Sequence, residues 1–326
     1  MSDVVGILAP VREAAEVAPL VDAGATRLYC GISPRAWTLR YSRAVWLSRR
    51  SPGAAVDDLA GLARLVEAAS ARGVAVDLTL NAPSFTAEQL DRAVELAEGA
   101  VRSLGVAAVI VADPCLMLAL GERGVPFVAS TVAVAHNPEA LGFFRALGAR
   151  RAVLPRHLRV DEIAALARAH GGFPLEVIVL FDGCAWEEGL CRTLHGLPGT
   201  AAFCQTPWQF ALEPNGPALD GATRAAWDEA IRDYQAWLAW SDACATPVDE
   251  GGAPNGTCAL CALPALTTAG VAAFKVAGRQ APLVRRLRGV EMTRRVRDGE
   301  VAHPETLRPG SAGCASGLMC AYAPTR

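Results

Sequence analysis

Short apolar runs alternate along this chain with longer stretches in which apolar positions recur every three or four residues. The runs predict strands over 4–9, 26–30, 74–80, 106–111, 126–130, 151–154, 175–181 and 271–276. Short apolar runs that alternate with helical stretches are the rhythm of a parallel α/β protein. The amphipathic stretches predict helices over 56–71, 87–104, 115–123, 138–147 and 160–170. Pro10, a residue suited to a first helical turn, predicts a further helix from there through Leu20, ended by Gly24. The connection GISPRAWTLRYSRAVWLSRRSPG is rich in Arg, Ser and aromatics and predicts a long loop. After the seventh strand, residues 182–258 form a cysteine-bearing loop with a helical insertion over 223–240, and helical pattern resumes over 260–269.

Eight strand and helix alternations predict a single α/β domain over 1–326, a (β/α)8 barrel of the TIM type distorted by the insertion. An open doubly wound sheet is the alternative, but no G-x-G-x-x-G follows the first strand to support it. No short-period repeat beyond the strand and helix unit is present, and no low-complexity linker. A barrel gathers its functional groups at the C-terminal ends of its strands. That places Tyr29, Asn81, Asp113, Ser130, Arg156 and the loop beginning at Asp182 around one mouth.

Composition narrows the partners. A net charge of −2 gives no basic field for nucleic acid or an anionic membrane surface. MSDVVGILAP lacks the basic region and long apolar core of a secretory signal, and no apolar run is long enough to span a bilayer. The expected location is the cytoplasm. The ten cysteines then point to metal binding or redox chemistry before a disulfide framework.

Half of the cysteines cluster in two places. Cys184, Cys191 and Cys204 stand in LFDGCAWEEGLCRTLHGLPGTAAFCQTPW, and Cys258 and Cys261 form a CxxC in NGTCALCAL. Thiolates are soft ligands that select zinc or iron–sulfur clusters over hard cations. The spacing alone, with one CxxC, leaves zinc and iron–sulfur open.

The segments LAPVREAAEVAPLVDAGATRLYCG, STVAVAHNPEALGFFRALGARRAVLPRHLRVDEI, LEVIVLFDGCAWEEGLC and AGVAAFKVAGR occur in that order along most of the chain. They resemble successive signatures of the collagenase-like peptidase family (peptidase U32). Its members include the UbiU and UbiV type, proteins of oxygen-independent ubiquinone hydroxylation, and proteins that hydroxylate RNA. The resemblance implies a four-iron four-sulfur (4Fe-4S) cluster on Cys184, Cys191 and Cys204. Its fourth ligand would be Cys258, measured back from the KVAGR motif at 275–279, or Cys261 one helical turn on. It also implies hydroxylation of a small aromatic or quinone-like substrate with prephenate as a co-substrate that supplies the oxygen. Asp182 and Gly183 before Cys184 depart from the family's pattern, as does the Trp-rich insertion, and both bear on the substrate.

A carboxylate-bearing donor calls for guanidinium partners, which bind carboxylates bidentately. Arg156 in the LPR motif leads the candidates, with Arg35, Arg40, Arg49 and Arg50 in the long second loop; Asn81 and His136 complete the catalytic set. Each assignment has a plainer competitor. The five cysteines could hold structural zinc, while Cys30, Cys115 and Cys244 read as buried small hydrophobes. Cys314 and Cys320, in SAGCASGLMCAY, could add a ligand or pair together, with an inert role the favoured reading. His136 with Asn137, Asn81 and Asp113 could cap helices, and His157 could be an exposed loop residue. His195 sits inside the cysteine loop as a candidate support for the cluster. Lys275 and Arg279 fit an anion site or salt bridges equally well. Trp186, Trp208, Trp227, Trp237 and Trp240 are expected to cover the insertion or an interface.

Three functions follow: an oxygen-independent hydroxylase or one of its subunits, a peptidase, or a non-catalytic metal-binding subunit paired with a paralogous chain in a heterodimer. No HExxH or GxSxG supplies a hydrolytic centre. The near-neutral charge disfavours RNA.

Overall fold

The computed structural model describes residues 4–41, 46–49, 52–181, 184, 188–190, 209, 211, 216, 218–241, 256–308, 314 and 320–322. Eight strands form a closed barrel: β1 (Gly6–Pro10), β2 (Arg27–Gly31), β3 (Ala75–Leu80), β4 (Ala108–Val111), β5 (Phe127–Ala129), β6 (Ala149–Val153), β7 (Leu175–Leu180) and β8 (Ala273–Val276). Every neighbour pair is parallel, and β1 closes on β8 with Gly6 opposite Ala273. Parallel pairing needs a crossover after each strand, so the helices must lie outside the barrel and cover it.

The helices are α1 (Val17–Asp22), α2 (Arg35–Tyr41), α3 (Leu59–Ser70), α4 (Ala87–Leu104), α5 (Pro114–Glu122), α6 (Pro138–Ala146), α7 (Val160–Ala169), α8 (Gly221–Ser241), α9 (Leu263–Thr268) and α10 (Leu283–Arg297). Their starts follow from local chemistry. Asp58 accepts from Gly61 N at the head of α3. Thr86 and Gln89 exchange side-chain and backbone bonds at α4, a capping box. Asp113 and Asn137, with Pro114 and Pro138 behind them, cap α5 and α6. No described helix is long and apolar enough to cross a membrane.

Three elements differ from the sequence expectation. Pro10 ends β1, paired opposite Tyr29, rather than opening a helix; the chain turns through Ala14–Glu16 before α1 begins at Val17. The long second loop contains α2, whose Trp37 is buried and packs on Tyr41 at 4.6 Å between ring centroids. The Arg-rich stretch after β8 folds as α10, with Arg285 and Arg286 among the most deeply buried side chains of the protein. Arg286 donates to Glu16 at 2.7 Å and to the Pro10 carbonyl at 3.1 Å, tying α10 to the far side of β1.

Residues two apart on a strand face the same way. Arg27 and Tyr29 on β2, Asp77 and Thr79 on β3, and Glu176 and Ile178 on β7 therefore share the inner surface. At one level of that interior Arg27 grips Asp77 through two bonds of 2.8 and 2.9 Å. Arg151 reaches Asp77 at 2.6 Å and Glu176 at 3.0 Å. The barrel floor is thus an ionic layer beside a large apolar core cluster.

Candidate functional site

Above that layer the C-terminal strand ends make a pocket. Tyr29, Thr79, Asn81, Ser130, Thr131, Arg156, Ile178, Cys184, Glu188, Lys275 and Arg279 line it together with Arg49. Its volume is about 90 Å³, room for a few water-sized groups, since one water occupies about 10–15 Å³ by this measure. Among the described residues, four cationic side chains and one carboxylate line it.

Lys275 is buried, with its Nζ 4.2 Å from the centroid of the Tyr29 ring. Burial brings its pKa down to about 8, while Glu176 and Asp77 beneath it hold the fall in check. A lysine tuned this way exchanges its proton near neutral pH, which an exposed lysine does not. Glu176 shifts the other way: burial raises its pKa against the pull of Arg151 and Lys275.

Arg279 crosses the end of β2. It donates to Thr79 Oγ1 at 2.5 Å and Ser48 Oγ at 3.3 Å. A Cβ at Gly31 would stand 2.5 Å from the Arg279 guanidinium, so glycine at that position is what lets the side chain pass. Asn81 donates to Ser130 Oγ at 3.0 Å and accepts from Arg49 N at 3.1 Å. Asn81 is therefore a mouth residue and not a helix cap.

The chain leaves β7 through Phe181, which sits in the left-handed region at φ 65. Its amide donates to Thr257 O at 2.8 Å, and the Arg285 guanidinium lies 4.3 Å from its ring centroid. Glu188 is held at the mouth by three contacts. It pairs with Arg156 at 2.9 Å, accepts from Thr131 Oγ1, and its carbonyl receives Arg49 Nη1 at 3.3 Å. Glu188→Ala is expected to cost about 1–3 kcal/mol of stability, the worth of buried hydrogen bonds to a charged group. Urea unfolding checks this, and an unchanged midpoint would mean that the contacts hold nothing in place.

The predicted site residues divide between several places. Arg156, Asn81, Arg49 and Cys184 meet at the mouth. His136 packs against His157, ring centroids 4.7 Å apart, and is not part of the mouth lining. Asp113 accepts from Cys115 N, Leu116 N and Phe85 N, and Asn137 accepts from Ala140 N, so both act as caps. Arg40 is ion-paired with Glu88 on the surface. Arg50, Cys191, His195, Cys204 and Cys244 lie outside the described residues. Cys30 is fully buried, and burial pushes its thiol up to about 12, an inert core position, whereas Cys115 is exposed.

Cys258 and Cys261 line a different cavity from Cys184. That cavity, of about 1080 Å³, lies among α7, α9, the turn at Pro304–Leu307 and the terminal segment, and Cys314 and Cys320 line it too. Cys258 joins two neighbours through its backbone, bridging Leu180 at the end of β7 and Cys320. Burial raises the Cys261 thiol to about 11, with Cys258, Glu305, Cys314 and Cys320 adding to the rise. Among the described residues no three His, Cys, Asp or Glu side chains gather closely enough to hold a metal ion. Of the five thiols expected to hold a cluster, Cys184, Cys258 and Cys261 are described, and of these Cys184 lines the mouth; its soft donor chemistry fits such a group.

In the sequence, Lys275 and Arg279 fit salt bridges as well as an anion site, and their place at and just past the end of β8 is the signal for the mouth. Glu188 had none beyond its nearness to Cys191.

The profile of peptidase family U32 matches residues 12–310. Among solved structures, a U32 peptidase is similar at 17% identity and a TM-score of 0.43, over 54% of this chain and 68% of that one. A native KDPGal structure is similar at 9% identity and a TM-score of 0.45, over 90% and 94%. Oxaloacetate acetylhydrolase in complex with 3,3-difluorooxalacetate is similar at 14% identity and a TM-score of 0.38, over 55% and 68%.

Proposed function

The chain belongs to peptidase family U32, and on that footing we propose that its barrel mouth binds a carboxylate-bearing small molecule and serves oxygen-independent hydroxylation of an aromatic or quinone-like substrate. The observation that carries the reading is the excess of cations among the described lining residues: Arg49, Arg156, Lys275 and Arg279 against Glu188. Guanidinium forks match a carboxylate in shape as well as charge. A pocket of about 90 Å³ takes the head group of such a molecule, not a peptide segment.

Hydroxylation without dioxygen balances as an exchange in which the substrate C–H becomes C–OH while a donor C–OH becomes C–H. The substrate loses two electrons and the donor gains them. Prephenate, the co-substrate implied by the family resemblance, carries both the carboxylates and the hydroxyl. A 4Fe-4S cluster held by Cys184, Cys191, Cys204 and a fourth thiolate supplies a path for those electrons when bound. The remaining work falls to the chain itself. Arg156 and Arg279 orient the carboxylate, the Asn81 and Ser130 pair fixes the polar wall, and Lys275 Nζ holds or releases a proton.

The charge state of Lys275 makes binding depend on pH. Below about 8 it is a cation; above that it is neutral and one favourable charge is lost. Prephenate affinity measured by calorimetry is expected to fall about tenfold from pH 7 to pH 9, equivalent to about 1.4 kcal/mol. A flat profile, or the same fall in Lys275→Met, would remove Lys275 from the site.

Activity is tested by anaerobic incubation of the iron-loaded protein with prephenate labelled at its hydroxyl oxygen and an aromatic acceptor. Label in the product supports the reading, and its absence with all acceptors overturns it. The family's name supports peptide hydrolysis as the second reading, and cleavage of a peptide library by metal-free protein would establish it. The mass of the purified species shows whether a paralogous subunit is needed.

A further inference from the structure

Of the 31 lysines and arginines in the sequence, Lys275 is the one lysine. Where the fold needs a fixed buried cation it uses arginine: Arg286 against Glu16, Arg151 against Asp77 and Glu176, and Arg279 across the end of β2. A guanidinium stays protonated, so it can pair and orient but cannot attack a carbon, whereas a buried amine can lose its proton and do so. Positive charge alone therefore does not account for a lysine at this position. Its surroundings suit the difference. Lys275 stands in register with Ile178 of β7, is 6% exposed and lines the mouth pocket. Among the described residues its Nζ donates to no oxygen. The Tyr29 ring lies beside it at 4.2 Å, pinned by the bond from Tyr29 Oη to the Val276 carbonyl at 2.9 Å. The pocket thus sets an amine among the guanidiniums of Arg49, Arg156 and Arg279.

We propose that Lys275 Nζ forms a Schiff base with the oxo carbon of a 2-oxo acid whose carboxylate is held by the guanidiniums of the mouth. The inference rests on the carboxylate reading of the mouth and names the group that stands next to the carboxylate. A 2-oxo acid carries its electrophilic carbon directly on the carboxylate carbon, so a pocket of about 90 Å³ that holds an amine and guanidiniums together suits it. Prephenate ends in such a group. In the step itself the neutral amine adds to the oxo carbon and a C–N bond forms. The oxo oxygen then leaves as water with the two protons that the nitrogen carried, so no oxidant or reductant takes part. Burial brings the amine to about 8 and so leaves part of it neutral, and able to attack, near neutral pH. A protonated imine keeps the positive charge, so the fall in affinity expected between pH 7 and pH 9 applies to it as well.

The test uses the full-length wild-type protein, so no variant has to fold. The protein is incubated with pyruvate and sodium cyanoborohydride, which reduces an imine to a stable amine, then digested and mapped by mass spectrometry. One adduct is expected at Lys275, heavier by pyruvic acid less one oxygen. With a single lysine in the sequence, the competing amine is the α-amino group, whose ordinary pKa of about 8 leaves it comparably neutral. Lys275 is expected to be modified about tenfold faster than that group, because the carboxylate is held beside it. Excess lactate, which has the carboxylate but no oxo group, is expected to protect Lys275 and not the α-amino group. No adduct at Lys275, or one that forms there no faster than at the α-amino group, overturns the proposal. Calorimetric titration of lactate reads the carboxylate site separately. Lactate that binds while Lys275 stays unmodified overturns the Schiff base and leaves the reading of the mouth standing; lactate that neither binds nor protects overturns both.

Discussion

Replacing Asp77 with Ala is expected to lower folding stability by about 3–5 kcal/mol, the range for removing one partner of a buried ion pair. Asp77 is fully buried and accepts from Arg27 twice and from Arg151 once. Its loss leaves two guanidiniums inside the barrel with a single carboxylate, Glu176, between them. The penalty comes from those stranded charges more than from the missing bonds, so Asp77→Asn, which keeps hydrogen-bonding capacity but not charge, is expected to recover only part of it. The change also reaches the mouth. Asp77 helps hold up the pKa of Lys275, so the pH at which prephenate binding weakens is expected to move below about 8 in the Asn variant. Urea unfolding and the binding profile read the two effects separately, and a variant as stable as wild type would mean that the ionic layer holds nothing together.

Arg286→Met is expected to have an effect of the same size, about 3–5 kcal/mol. Methionine replaces the stem but leaves Glu16 buried without its guanidinium, and Pro10 O and Ala281 O without their donor. The pair also gives the wild type a pH signature. Burial alone would raise the Glu16 pKa, but the hydrogen bond and charge of Arg286 outweigh it and the value lies below the usual 4.5. A depressed carboxylate stabilises the fold above its unfolded pKa, and that contribution fades as pH falls through the folded value. Wild-type stability is therefore expected to drop below about pH 4.5 more steeply than that of the variant. Parallel acid titrations of the two would contradict the coupling.

The barrel was legible in the sequence because parallel strands covered on both faces read as largely apolar runs, and those runs survive small errors at their ends and a single charged residue within. β4 shows the first in AVIV, and β7 the second in LEVIVL with Glu176. The missed helices failed for opposite reasons. In α2 the buried face is little more than Trp37 with Tyr41, too little for a period to show. In α10 the buried positions include Arg285 and Arg286, so a hydrophobic count reads the inner face as outer. Arginine can be buried when a partner waits for it, and Glu16 lies far upstream. Proline suits both a first helical turn and a strand end, so Pro10 by itself does not distinguish the two.

The site was legible where strand ends carry chemistry, at Asn81 and Arg156. Lys275 was seen but not valued, since its tuned charge depends on Glu176 and Asp77, contributed by β7 and β3. The cysteines carry a grouping that spacing along the chain does not show: Cys258, Cys261, Cys314 and Cys320 line one cavity and Cys184 lines the mouth.

The most direct test of the mouth is calorimetric titration of prephenate into anaerobic protein at pH 7, for wild type, Arg156→Met and Arg279→Met. Each substitution is expected to weaken binding at least tenfold, about 1.4 kcal/mol, with the fold retained by circular dichroism. Unchanged affinity in both folded variants would contradict a carboxylate site at the barrel mouth.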